Sequence, residues 1–111
     1  MVVKKVNNII TEDKLDKYFE VTGKAIKKAE SAKDESDETR LKQANDCLDM
    51  ITRYYADAKF FREKGDYINS FAALNYAHGW LDAAARLRLF KVNDSALFTV
   101  DEEQEDMNIN N

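Results

Sequence analysis

The chain has 111 residues, 44% of them hydrophobic and 34% charged, which is enough for one domain with a real core and too short for two. Pro is absent and Gly occurs only three times, which argues against a turn-rich β fold and for long helices joined by few loops. The net charge of −4 is uneven: residues 1–92 hold all 17 Lys and Arg against 15 acids, whereas residues 93–111 hold six acids and no base.

The opening stretch, "MVVKKVNNII", is interrupted by Lys and Asn, so it does not read as a signal-peptide core. It reads as a separate apolar arm. The first helix begins at Thr11, an N-cap residue followed by Glu12 and Asp13 where the helix dipole favours acids. Leu15, Phe19, Thr22, Ile26 and Ala29 recur in steps of four and three, the seam of a packed helix. The spacing predicts a helix over about 12–32. Residues 1–33 carry eight Lys against five acids, a bias that reads first as a solvated helix face.

"KDESDETR" (33–40) is a polar connector, with Ser36 or Asp37 as the cap of a second helix over about 37–64. Leu41, Ala44, Leu48, Ile51, Tyr55 and Ala58 form its stripe, with Cys47, Tyr54 and Phe61 on the shoulder. The lone Cys47 excludes an internal disulfide and a four-cysteine zinc site, reads as a small buried hydrophobe, and agrees with a reducing cytoplasm. Gly65 supplies the left-handed position that stops this helix, and Asp66 caps the next. So tight a joint obliges the second and third helices to run antiparallel.

The third helix is predicted over 67–90. Tyr67, Phe71, Leu74, Leu81, Ala85 and Leu89 share one face, Ala73, Ala77 and Ala84 a second, and Tyr76, Trp80, Ala83 and Leu87 a third. Two partner helices cannot cover all of this; the arm, the "ALFTV" segment (96–100) or a second subunit is needed. One hairpin without a second copy is no tetratricopeptide array. The expected architecture is all-α: an up-and-down antiparallel three-helix bundle in residues 1–92, with an apolar N-terminal arm. Residues 93–111 are expected to be a docking segment and a disordered acidic tail.

A narrow polar strip on the third helix, Asn75, His78, Asp82 and Arg86, is the candidate interaction site. His78 is the chain's only histidine. A His78–Asp82 pair at one-turn spacing has the form of a proton-transfer or metal pair. The plainer reading is a border histidine bonded to Asp82, followed by an Asp82–Arg86 pair on the surface. Zinc needs three or four ligands, a di-iron bundle needs Glu three before the His where this chain has Asn75, and neither a Gly-x-Ser-x-Gly nucleophile, a base for Ser70 nor a phosphate loop is present. No catalytic, cofactor or metal residue is assigned, and the chain is expected not to be an enzyme. Gly79, in a helix interior, predicts close approach of another backbone, and Gly79, Trp80, Ala83 and Leu87 are the candidate interface.

Residues 47–91, above all "GDYINSFAALNYAHGWLDAAARL", resemble domain-of-unknown-function family 357, a small archaeal family. The resemblance implies a three-helix bundle in an archaeal cytoplasm and no established activity. The family pattern tends to have Gly where this chain has Ala84 and Arg88. A looser similarity is to helical nucleotidyltransferase-partner domains, some of them ribonucleases with an Arg-x4–6-His motif. Phe-Ala-Ala at 71–73 lacks that Arg. The leading expectation is a protein-interaction module, self-associating through the third helix as a homodimer. The alternatives are an RNA-associated factor using the Lys-rich first helix and a minor ligand or metal site at His78/Asp82. No apolar run reaches the roughly 20 residues of a membrane span.

Overall fold

The computed structural model describes residues 3–100. Within them the chain forms α1 (Glu12–Ser31), α2 (Glu38–Glu63) and α3 (Tyr67–Arg86), an all-α bundle of three helices. Each helix begins on a side chain that accepts an otherwise unpaired backbone N–H. Thr11 accepts from Lys14 N, Asp37 from Arg40 N and Asp66 from Asn69 N. Of the two residues expected to cap α2, Asp37 does so. α2 and α3 pack most extensively, and α1 lies chiefly against α3.

The predicted seams are the core. Leu15, Phe19, Thr22, Ala25, Ile26 and Ala29 of α1 are buried against Ala44, Leu48, Ile51 and Ala58 of α2 and Leu74, Ala77, Leu81, Ala84 and Ala85 of α3. Two buried hydroxyls sit among them, each with a partner. Ser70 donates to the Ala58 carbonyl at 2.8 Å, joining α3 to α2. Thr22 meets His78, joining α1 to α3. Close approach occurs at Gly23 rather than at Gly79. A Cβ on Gly23 would stand 3.0 Å from the Tyr55 hydroxyl, which donates to the Phe19 carbonyl, whereas nothing lies within 4 Å of one on Gly79.

α3 is shorter than predicted, ending at Arg86 instead of Phe90. Apolar periodicity runs on through Leu89 and Phe90, but the backbone turns. Arg88 adopts φ 62°, and Arg88 N and Leu89 N donate to the carbonyls of Ala85 and Ala84. This is the Schellman closure. The same closure ends α2, where Gly65 at φ 77° precedes Asp66 and their amides reach Arg62 and Phe61. Leu89 and Phe90 thereby enter the core from a strand-like segment. Phe90 bridges antiparallel to Lys33, with Asp34 N donating to Leu89 O at 2.8 Å and Lys91 N to Ala32 O at 2.7 Å.

The polar connector is consequently half structural. Asp34 is buried, accepts from Arg40 Nε at 2.8 Å and Ser36 N at 3.0 Å, and has Lys91 at 3.5 Å. Arg40 also donates to the Leu87 carbonyl at 2.7 Å, so one guanidinium ties the α1–α2 connector to the end of α3. These bonds, the one from Arg40 foremost, hold the Asp34 carboxyl well below the usual carboxylate range.

Beyond the bridge the chain continues as a strap. Asp94 accepts from Lys28 at 2.7 Å and from Ala96 N at 3.0 Å, and Phe98 and Val100 are buried in the core. Of the two covers for α3 proposed within the chain, the 96–100 segment is the one that packs. The arm does not: Ile10 packs beside Leu15, Phe19 and Leu74, while Val3, Val6 and Ile9 stay exposed. The expected acidic tail after residue 100, and Met1 and Val2 of the arm, lie outside the described residues.

Two outcomes follow. Arg88→Gly relieves the left-handed backbone of an L-residue and should raise stability by about 1 kcal/mol in a urea titration, with α3 unchanged. Asp34 is held below its unfolded pKa, so its stabilisation is full above about pH 5 and is lost as pH falls towards its folded pKa. Asp34→Asn should cost roughly 1–3 kcal/mol at pH 7, and the difference from wild type should shrink as pH is lowered below about 4.

Candidate functional site

The polar strip of α3 divides into two parts that face different ways. His78 and Asp82 turn under the strap. The His78 ring lies with Nδ1 3.0 Å from Thr22 Oγ1 and Nε2 2.7 Å from the Leu97 carbonyl. A carbonyl only accepts, so Nε2 carries a proton and donates; on a neutral ring Nδ1 then accepts the Thr22 hydroxyl proton. Both nitrogens are engaged within the chain, and no lone pair is left for a metal or for moving a substrate's proton. Asp82 accepts from Thr99 N at 2.8 Å and Thr99 Oγ1 at 3.1 Å.

The expected His78–Asp82 hydrogen bond is not made: Nε2 and Oδ1 are 3.7 Å apart, beyond bonding distance. The reason is competition. Each side chain has a better-aligned partner in the strap. Among the described residues no group of three His, Cys, Asp or Glu is placed to hold a metal ion. Ser70 is buried with its hydroxyl on a backbone carbonyl, and burial raises the Cys47 thiol above its ordinary pKa, Asp46 adding to it.

A depression of about 340 Å³ runs beside this contact, lined by His78, Asp82, Arg86 and residues 95–100. Its polar groups are those already bonded across the strap. It is the seam of a docked segment.

The other half of the strip looks outward. Around α3, Ile68, Ala72, Gly79 and Ala83 fall within about 60° of one another at 100° per residue, and all four are exposed. Asn75 borders this line on one side and exposed Tyr76 and Leu87 on the other, while Arg86 falls at the azimuth of Ile68 and ends the line where it meets the strap depression. Trp80, half-buried, closes the Tyr76 side and packs on the core, and Tyr76 leans edge-on against Tyr54 of α2 at 4.5 Å. The middle of the line is low because Gly79 has no side chain and nothing stands above it. The result is a shallow apolar trough along α3, edged by large side chains.

Of the candidate interface residues, Gly79, Ala83 and Leu87 are therefore at the surface and Trp80 at its margin. Of the candidate strip, Asn75 and Arg86 stay with the outer face while His78 and Asp82 belong to the strap. Sequence reasoning missed Thr22, Leu97 and Thr99 as partners. Thr22 carried a signal, since a hydroxyl in the middle of an apolar seam needs a partner; Leu97 acts through its backbone, which no side-chain pattern marks.

The strap reading has a direct check. Asp82→Ala removes the acceptor of Thr99 N, and amide exchange at Thr99 should accelerate by about tenfold while the amides of α2 stay protected.

No helix among the described residues is long and apolar enough to cross a membrane. A family model described as "Protein of unknown function (DUF357)" matches residues 17–90, from within α1 to the bridge at Phe90. No curated protein and no solved structure matches the chain.

Proposed function

The chain belongs to the DUF357 family, whose description assigns no activity, and from its geometry we propose that it is a non-catalytic interaction module that self-associates through the outer face of α3. The observation that carries this is the trough from Ile68 to Leu87. Ile68 is 70% exposed, Leu87 66% and Tyr76 54%, and these large apolar groups flank one continuous line rather than lying scattered over the surface.

The retention of Gly79 supports the same reading. Glycine in a helix interior costs about 1 kcal/mol relative to Ala, and here no neighbour in the chain needs the space. A second backbone at the trough would need it. The catalytic and metal reading at His78/Asp82 is weakened because the strap and Thr22 use the bonding capacity of both side chains. Two of the five lysines of α1 carry acids of their own, Glu20 on Lys24 and Asp94 on Lys28, which leaves less charge for RNA. The setting we propose is a reducing cytoplasm, where a half-buried single thiol persists without a partner.

Gly79→Ala separates folding from association. It should raise monomer stability by about 0.5–1 kcal/mol and weaken self-association in sedimentation equilibrium. Ala83→Glu, on an exposed position, should give monomers with unchanged helicity. A wild-type chain that stays monomeric up to millimolar concentration would overturn the proposal.

A further inference from the structure

Beside the trough, the arm is a second exposed apolar surface among the described residues. Residues 3–10 take no regular secondary structure, and Val3, Val6 and Ile9 are 85%, 72% and 75% exposed. Their three-residue spacing puts the three side chains along one edge of an extended chain with three residues per turn. No acid and no glycine falls among residues 3–10.

The arm's root is fixed. Ile10 packs in the cluster of Leu15, Phe19 and Leu74, Asn8 to Ile10 run beside Gly65 to Ile68, and Tyr67 donates to Glu12 at 2.6 Å. The arm therefore departs from the molecule at the Ile68 end of the trough and leaves its own trough uncovered.

We infer that the occupant of the trough is residues 3–10 of a second copy of this chain, exchanged reciprocally. The inference rests on the self-association proposed above and names what the partner contributes. Dimensions agree. Eight extended residues span about 25 Å, and Ile68 to Leu87 along a helix spans about 28 Å. The chemistry agrees as well: three β-branched side chains on one edge meet a floor of Ala72, Gly79 and Ala83 between the Tyr76/Leu87 wall and Asn75 on the other side.

So does the area. Val3, Val6, Ile9, Ile68, Tyr76 and Leu87 expose roughly 500 Å² of apolar side chain per chain, so a reciprocal pair covers about 1,000 Å², where specific interfaces begin. Reciprocal exchange of one segment between identical copies is a low-cost route to a dimer.

Val6 is the middle of the arm and exposed Asn75 borders the trough near its middle, so they are neighbours whichever way the arm runs. The test mixes full-length Val6→Cys chains with full-length Asn75→Cys chains of different tag length, both carrying Cys47→Ser, and oxidises them mildly. The expected product is a disulfide between the two differently tagged chains. A chain carrying Val3→Ser, Val6→Ser and Ile9→Ser should keep its thermal midpoint and associate at least about tenfold more weakly.

Two results overturn the inference while leaving the outer-face reading intact. One is that the triple arm variant associates as tightly as wild type while Ala83→Glu is monomeric. The other is that a chain bearing both cysteines closes only on itself. A wild-type chain that never associates overturns both proposals together.

Discussion

Everything in this structure depends on the covering of α3. Its apolar and small side chains occupy more of its circumference than two helices can hide. A helix packed on two others in a bundle buries a stripe and leaves the rest to water. α2 takes the side of Ser70, Ala77 and Ala84, and α1 takes the side of Phe71, Leu74 and His78. What is left over determines where the chain goes after Arg86 and which face stays open.

The turn at Leu87–Leu89 is the means of the first. A straight continuation of α3 would carry Leu89 and Phe90 past Ser31, the end of α1, which is no longer than α3 and starts beside it at Glu12 and Tyr67. A left-handed residue at 88 reverses the chain, and the Lys33–Phe90 bridge and the Arg40 guanidinium hold it reversed. The conformation is the one glycine favours, so the turn is made here at a backbone cost, offset by burial of Leu89 and Phe90. Removing Leu87's carbonyl contact or Asp34's charge loosens the same joint from its other side.

Helix number, seams and caps were legible because they are local and periodic. Thr11, Asp66 and Gly65 act as their residue types dictate, and the α1 seam and the middle of the α2 stripe are buried, with Leu41 and Tyr55 of the latter half-buried. The end of α3 was not legible, since Leu89 and Phe90 remain in helical phase and only tertiary contact tells a core residue on a returning segment from one more turn of helix. Asp34 was hidden for a different reason. It stands in an acid-rich run, and one carboxylate among several carries no mark of the Arg40 and Ser36 that will enclose it. Within the candidate strip the structure separates residues that helical spacing grouped: Asn75 and Arg86 share a face with Gly79, while His78 and Asp82, one turn apart and on the same strip in projection, are drawn to Thr22 and the strap. Helical spacing places residues on a face. It does not say which of them a later segment will claim.

That division bears on what the polar residues of α3 are for. Were the strap there to hide surplus apolar surface, it would lie over Ile68 to Leu87, where that surface is. Instead Phe98 and Val100 enter the core at the end of the bundle, and the strap's backbone is read by His78 and Asp82. A helix with two polar groups holding a strap on one side and an uninterrupted line of Ile, Ala, Gly and Ala on another has its attachments sorted by chemistry. Hydrogen bonds fix the register of the chain's own segment, because a misplaced strap would leave a buried imidazole and a carboxylate unsatisfied. The apolar line on the outer face carries no such hydrogen bonds, and it is the face through which we propose self-association. The matched family residues run from 17 to 90, so most of the bundle, with the outer face of α3, lies inside the match, and the arm and the strap lie outside it.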